Sequence, residues 1–557
     1  MAKYFPLGNG SLTVNFDRNY TMRDIYYPRV GQENHGLNRP SRFGVHCDDG
    51  FFWLGDDGTE LDARYEEDSL VTRVKVEHAA TGVGLELQDA VDLEQNVFIR
   101  RVRVENRRDR QRDIRLYMHL DMYLYGSPIG DTVYYDPDLR SLVFYKRNRY
   151  VSLSCMEEGK APAPTGYAAG QRGMHGREGT WRDAEDGRLE GGPISQGSVD
   201  GTVELALAVP AQGFKTGWFW LAFGRSLDEI VEIEETLRRL GPLHYLRRTR
   251  NFWVRWTAED KHDLSPLAPD IASLYKRSLL IIRTNMDNGG AIVAANDSDI
   301  LKMSMDTYSY MWPRDGALIA HALDRSGYHG LTRRFFDFCR RSLSRHHFMM
   351  HKYNPDGSPG SSWHPWVDER GNKQFPIQED ESALVLFALW HHHKLAGTLD
   401  RCEEDYRRLA VPLADFMLRY RTASGLPLPS YDLWEERYGI TAFTTATVYA
   451  GLLAAADFAD AFKEHARAIA YREAAAKMKE AVYAHLYCRK EDRFLRALYW
   501  DAERKTFEPD YKLDASMYAL FDFGLVAPDD PRMVRTMLKM KEKLWVKTDV
   551  GGMARYE

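Results

Sequence analysis

The sequence predicts two domains of different class, an antiparallel β-sandwich followed by a barrel of paired α-helices. Two observations carry this: the apolar period changes near residue 250, and two kinds of helix alternate beyond it. At 557 residues the chain is also too long for one compact core. In the first part, Val71, Val74 and Val76 alternate with Arg73 and Lys75, Leu85 and Leu87 flank Glu86, Arg101 and Arg103 interrupt the run Val97–Val104, and Leu205-Ala206-Leu207 repeats the theme. Turn-forming clusters separate these runs at Asp48-Asp49-Gly50, Asp56-Asp57-Gly58 and Asn106-Arg107-Arg108. Many short strands with no helical period between them make a sandwich. From Asp228 to Trp256 the pattern turns helical and charged. The expected boundaries are 1–226 for the sandwich, 227–265 for a helical linker and 266–557 for the barrel.

Beyond residue 270 one kind of helix is apolar nearly all round, at 315–325, 381–393, 443–459 and 514–524. The other kind carries a stripe: Leu331, Phe335, Cys339 and Leu343; Leu409, Leu413 and Met417; Ala474, Met478, Val482 and Leu486; Met533, Met537, Met540 and Leu544. A helix apolar on every side must be covered on every side, and a striped one lies on an outer surface. Alternation of the two therefore means an inner ring wrapped by an outer one.

The segments richest in polar and aromatic residues immediately precede inner helices: Tyr308 to Asp315, with Trp312 and Arg314; Pro376 to Asp380; and Tyr431 to Arg437. If the inner helices run parallel, the three meet at one end of the barrel and form one concave site. Within the third segment Asp432, Trp434, Glu435, Glu436 and Arg437 pack three carboxylates, an aromatic ring and a guanidinium into six positions. Those are the parts of a glycosidic-bond-cleaving site. A general acid must hold its proton near neutral pH, so Glu435 is expected to have its pKa lifted by Trp434 and Glu436. Asp315, Glu379 and Asp380 equally suit first-turn or capping positions.

Composition narrows the partners. With 75 basic and 81 acidic residues, a net charge of −6, the chain shows no footprint for nucleic acid or an anionic membrane, and an uncharged small molecule is expected. Thirteen Trp and 31 Tyr offer flat rings to pyranose faces. Cys47, Cys155, Cys339, Cys402 and Cys488 form no CxxC pair, so neither a disulfide framework nor a zinc site is expected, and no cofactor. The Asp131-to-Asp138 run reads as a turn and not as a calcium site. The N-terminus has no apolar signal core, and no stretch of about 18 apolar residues is apparent, so a cytoplasmic protein is expected. Oligomeric state is not readable.

With these segments assembled, the chain resembles glycoside hydrolase family 15, the glucoamylase, glucodextranase and trehalase family, in its bacterial and archaeal two-domain form. Besides the barrel loops, the likeness runs through Phe5 to Gly10, Asp24 to Pro28, Gly179 to Asp183 and Ser362 to Trp366. The resemblance implies an N-terminal β-sandwich with an (α/α)6 barrel, and inverting cleavage of non-reducing-end α-glucosides or oligosaccharides. By the same resemblance Glu435 matches the general acid, and Arg314, Asp315 and Glu436 match residues that bind the terminal glucose. Tyr308 matches an aromatic beside the scissile sugar, Trp312 and Trp434 wall the pocket, and Arg555 matches a sugar-binding arginine. Asp432 is either a supporting carboxylate or a turn former, and Asp380 either supports the site or caps its helix. Trp363, His364 and Trp366 are pocket wall or plain packing.

Inversion needs a second carboxylate roughly 6.5–9.5 Å from the first. The family's base lies in a loop beyond its Arg-Tyr-Glu segment, which here is Arg555-Tyr556-Glu557. About nine of twelve barrel helices are readable, so the expectation is an incomplete barrel without its base. Asp380, Asp514 and Glu557 are stand-ins by position, and none matches the base. The alternatives are a disaccharide phosphorylase, which needs one protein carboxylate, and a sugar-binding fragment without activity. The linkage, α-1,4, α-1,6 or α,α-trehalose, is left open.

Overall fold

The computed structural model describes residues 4–173, 176–190, 192–260, 262–296, 298, 306–368, 370–501 and 503–557. The chain forms two compact units, one of residues 1–288 with 295–309, the other of 289–294 with 310–557.

The first unit is the antiparallel sandwich. A nine-stranded sheet runs in the order Ile194–Gly197, Asp131–Asp136, Ser141–Lys146, Arg149–Glu157, Phe214–Gly224, Val97–Asn106, Val83–Val91, Thr72–His78, Thr59–Tyr65. A five-stranded sheet runs Gly166–Gln171, Val199–Val209, Arg112–Asp121, Phe43–Cys47, Gly50–Trp53. A third sheet takes the four strands between Phe5 and Asn34. The period-two runs of the sequence supply the paired strands, with Val102 opposite Leu87 and Gly217. The two larger sheets close on each other at Gly217, where a Cβ would stand 2.7 Å from the Leu205 side chain, and Phe43 meets Phe219 edge-on at 5.3 Å.

The segment 227–265, a linker by its charged composition, folds otherwise. Helices Leu227–Leu240 and Pro242–Thr257 bury Ile230, Ile233, Leu237, Tyr245 and Leu246 with Trp218 and Trp220 of the sandwich. Glu234, fully buried, accepts hydrogen bonds from Ser152 (2.6 Å) and the Trp220 indole (3.1 Å). Charges on the outer face mask an amphipathic stripe. Helix Pro269–Thr284, the opening barrel helix by sequence, belongs to this unit too, tied by Lys276 to Asp68 at 2.7 Å and by Arg277 to the Ser69 carbonyl at 2.6 Å.

In the second unit the described residues form four inner–outer helix pairs. The inner members are Pro313–Arg325, Glu379–Ala396, Ala442–Ala461 and a short 3-10/α run over 515–522; each packs against the next. The outer members are His329–Ser342, Val411–Arg419, His465–Ala481 and Pro531–Leu544, which bury Phe335 and Cys339, Leu413 and Met417, Ala474 and Met478, and Met533 and Met540. Of the stripe residues read from the sequence, Leu331, Leu343 and Met537 are only partly buried and the others are buried.

The third inner helix, Ala442–Ala461, is by length and composition apolar enough to cross a membrane, contrary to the expectation that no such stretch exists. Its alanines and threonines hide the apolar run from a residue-by-residue count. Fifteen of its 20 residues are buried, and Thr441 caps it by accepting from the Thr444 amide. It meets the second inner helix at Gly451, where a Cβ would stand 3.1 Å from the Ala383 carbonyl oxygen. Gly451→Val is therefore expected to push the two helices apart and cost about 1–3 kcal/mol. Thermal or urea unfolding of the second unit measures the loss, and an unchanged midpoint would refute this contact.

Candidate active site

The site lies where the N-terminal ends of the inner helices meet, and Arg314 is its centre. Pro313 and Trp312 start the first inner helix at N1 and N-cap, so Arg314 is held in the first turn, with only 11% of its side chain exposed. Its guanidinium donates to Asp380 Oδ2 (3.0 Å) and to Gln378 Oε1, both at the start of the second inner helix. Glu381 lies at 3.6 Å, Glu435 Oε1 at 3.8 Å and Asp315 at 3.9 Å. Burial pulls the Arg314 pKa down, but the charges of Asp380, Glu381 and Asp315 outweigh it and hold it above its ordinary value.

Glu435 sits at the tip of a hairpin, which the sequence left as an undifferentiated loop. Strands Ser430–Tyr431 and Tyr438–Thr441 pair, and Asp432 organises the turn between them. Asp432 Oδ1 accepts from the amides of Glu436 (2.9 Å) and Arg437 (3.2 Å), its own amide donates to the Arg437 carbonyl (2.9 Å), and its carbonyl accepts from the Glu435 amide (2.9 Å). That network holds Glu435 at φ 64°, a left-handed conformation costing a non-glycine residue about 1–3 kcal/mol. Of the two roles open to Asp432, the structure shows the turn former.

The Glu435 carboxyl faces Arg314 through Oε1, and its Oε2 stands 3.2 Å from His351 Nε2. Burial raises its pKa. The hydrogen bond and charge of His351, the charge of Arg314 and the Trp312 indole outweigh burial and hold it below the ordinary carboxylate range. Two unlike charges about 4 Å apart attract by about 4 kcal/mol at an effective dielectric of about 20. The lift expected from Trp434 and Glu436 is thus corrected, because those side chains turn elsewhere. Trp434 Nε1 donates to Asp514 Oδ2 (2.9 Å), and Glu436 accepts from the Tyr556 hydroxyl (2.6 Å) with Arg555 at 3.6 Å. Arg555 lies over the Trp434 ring at 4.6 Å, so these five residues form one group next to the hairpin tip.

Aromatic rings line the other side. The Trp363 indole donates to the Glu435 carbonyl (3.4 Å), and its ring meets His351 edge-on at 4.8 Å. His364 is stacked between His351 (4.1 Å) and Tyr431 (3.9 Å), and burial, reinforced by the charge of His351, lowers its pKa to about 3. Lys352, buried, points its ammonium at Tyr310, Trp312 and Trp363, 4.4–5.0 Å from the ring centres. Trp366 packs on His346 instead, and Tyr308 is a half-exposed residue of the first unit. His351, Lys352, Gln378 and Tyr431 are the additions the sequence reading lacks. The signal for His351 and Lys352 is the clustering of His, Lys and Tyr just before Ser362 to Trp366, while Gln378 and Tyr431 fall inside the loop segments Pro376 to Asp380 and Tyr431 to Arg437.

The three stand-in carboxylates are engaged. Asp380 is paired with Arg314; Asp514 accepts from Trp434 and from the Ser516 amide (2.8 Å); Glu557 accepts from the Leu513 amide (3.0 Å). Among the described residues a cluster with metal-ligand spacing occurs at Asp324, His329 and His392, where Asp324 Oδ1 accepts from both rings and from Thr332.

An (α/α) helical unit with a carboxyl, a guanidinium and indole rings gathered at its inner-helix ends, in one chain with a β-sandwich unit, is the make-up of a glycoside hydrolase. The chain belongs to glycosyl hydrolases family 15: that family's model matches residues 271–556, and the model of glucodextranase domain N matches residues 18–258. It is 25% identical to an uncharacterized glycosyl hydrolase of Methanocaldococcus jannaschii, over 99% of this chain and 83% of the relative. In fold it is similar to a bacterial glucoamylase solved in complex with acarbose, with a TM-score of 0.75 and 17% identity over 100% of this chain and 80% of that one. It is also similar to a putative kojibiose phosphorylase from human microbiome, at a TM-score of 0.54 and 11% identity over 89% and 69% of the two chains.

Next to the cluster, Glu379 is fully buried, with neither carboxyl oxygen hydrogen-bonded. Burial, with the neighbouring Asp380 charge adding to it and Arg421 opposing, raises its pKa well above the ordinary value. A raised folded pKa contributes stability below the unfolded value of about 4.3, and that contribution is lost as the pH rises. The melting temperature of Glu379→Gln relative to wild type is therefore expected to climb between pH 4.5 and 8. A difference that stays flat over that range contradicts the buried-acid assignment.

Proposed function

We propose that the second unit hydrolyses non-reducing-end α-glucosidic bonds with Glu435 as proton donor and inversion at the anomeric carbon. The observation that carries this is the Glu435 carboxyl, held in a left-handed turn 3.8 Å from Arg314 and 3.2 Å from His351 beside a wall of indole rings. An α-glucoside offers an uncharged ring with hydroxyls all round. Arg314 and Asp315 below the carboxyl, with Glu436 and Arg555 beside it, are donors and acceptors for those hydroxyls, and Trp312, Trp363 and Trp434 supply apolar faces. Asp315, with 42% of its side chain exposed, is the carboxylate open to a ligand. Glu435 protonates the departing glycosidic oxygen as the anomeric C–O bond breaks, and a second carboxylate activates water on the opposite face.

One observation favours a second reading. Asp380, Asp514 and Glu557 are all committed to structural partners, and phosphorolysis, in which inorganic phosphate replaces water, needs only the acid. The two separate on product. With maltose, isomaltose, dextran and α,α-trehalose, release of β-glucose without phosphate is expected, and glucose 1-phosphate formed only with phosphate overturns hydrolysis. The reading frame after the Glu557 codon is the companion observation, because a glutamate-bearing loop there would supply the base. Glu435→Gln should lower either activity by about 10²–10⁴-fold, the usual worth of a positioned general acid. Full activity in that variant removes the assignment.

A further inference from the structure

We propose that His351 is a positioning residue that shares a proton with Glu435, so that the donor of this site is a histidine–glutamate pair. The inference rests on the hydrolase reading and goes beyond it. His351 is 1% exposed, its Nε2 lies 3.2 Å from Glu435 Oε2 and 3.3 Å from the Trp312 indole nitrogen, and its Nδ1 lies 2.9 Å from the Ser362 hydroxyl. The ring is clamped between His364 and the edge of Trp363, so it has one orientation toward the carboxyl.

Both proton placements are satisfied. With the proton on Nε2, the ring donates to the Glu435 carboxylate. With the proton on Glu435 Oε2, the carboxyl O–H donates to Nε2, and the ring keeps one proton on Nδ1 for the Ser362 oxygen, which also accepts from the His364 amide at 3.2 Å. In both forms Nδ1 keeps its proton and the Ser362 oxygen accepts it, so only the proton between Nε2 and Oε2 changes place. The Trp312 N–H, 3.3 Å from Nε2, has the Glu435 carboxyl as its acceptor when the ring lone pair is taken. Moving the proton from Nε2 to Oε2 turns an imidazolium–carboxylate pair into a neutral one, and exclusion of water by a bound sugar favours the neutral pair. Glu435 then gives that proton to the glycosidic oxygen as the C–O bond breaks and is left as a carboxylate, and water returns the proton to the pair.

The charges facing the pair come from each packed element. Arg314 and Asp315 lie on the first inner helix, Lys352 on the His351 segment, His364 on the next loop, and Asp380 and Glu381 on the second inner helix. Gln378 explains why His364 is not a second proton carrier. Its Oε1 accepts from Arg314, so its amide nitrogen donates to His364 Nε2 at 3.1 Å and fixes that ring as an acceptor there. The shared proton accounts for how a carboxyl held low by His351 and Arg314 serves as an acid. Because the two groups titrate together, the pH at which activity is lost on the alkaline side belongs to the pair.

His351→Gln keeps a hydrogen-bond donor and removes the shared proton. It is expected to lower kcat about 10–100-fold with KM within about twofold, and to move the alkaline limb of the kcat profile to lower pH by about one unit or more. In protein labelled with 15N-histidine, one ring should move toward the unprotonated range when Glu435 becomes Gln. If His351→Gln does not fold by circular dichroism, this comparison of wild type with Glu435→Gln decides. An unmoved pH limb in folded His351→Gln, or histidine spectra unchanged in Glu435→Gln, overturns the shared proton. Full activity in Glu435→Gln instead overturns the hydrolase reading, so the two failures are distinguishable.

Discussion

One buried guanidinium organises the barrel end of this protein. Arg314 has five N–H donors in a rigid fork, and the structure sets acceptors around it from two inner helices and the hairpin: Gln378, Asp380, Glu381, Asp315 and Glu435. Taking such a cation out of water is costly unless its charge is matched and its donors are bonded. Here the match comes from three different segments, so the cation also fixes where they meet. A lysine would bring the charge without the fork.

The carboxyl groups around Arg314 outnumber it, and their surroundings set them apart. Burial raises Glu381 and Glu379 well above the ordinary range, and Asp380 is raised more modestly because Arg314 opposes the burial. Glu435, with part of its side chain open and with both Arg314 and His351 against it, goes the other way. Carboxyl groups within one cluster are thus pushed in opposite directions, up for Glu379, Asp380 and Glu381 and down for Glu435. That separation is set by environment, which residue type alone does not reveal.

Much of the architecture is legible in the sequence, because burial leaves a periodic trace. The sandwich strands follow the alternation around Val74, Leu87 and Val102, and the outer helices bury the stripes through Phe335, Met417, Met478 and Met540. The gathering of Arg314, Asp380 and Glu435 follows from their shared position before inner helices. What is not legible is three-dimensional in origin. The partner of Glu435 is His351, distant in sequence, while its neighbours Trp434 and Glu436 point to Asp514, Arg555 and Tyr556. The positive φ of Glu435 depends on Asp432 gathering four hydrogen bonds to backbone groups, which a row of charged letters does not announce. The helices of 227–265 look like a linker because their solvent faces carry the charges.

If Arg314 is the keystone, a change that preserves its charge and removes only its geometry is the most direct test. Arg314→Lys, measured for glucose release from the preferred α-glucoside and for melting temperature in the same preparation, is predicted to lose at least about 100-fold in kcat/KM and to melt earlier, because Gln378 and Glu435 lose the fork. A lysine variant with wild-type kcat/KM and an unchanged melting temperature would contradict the account.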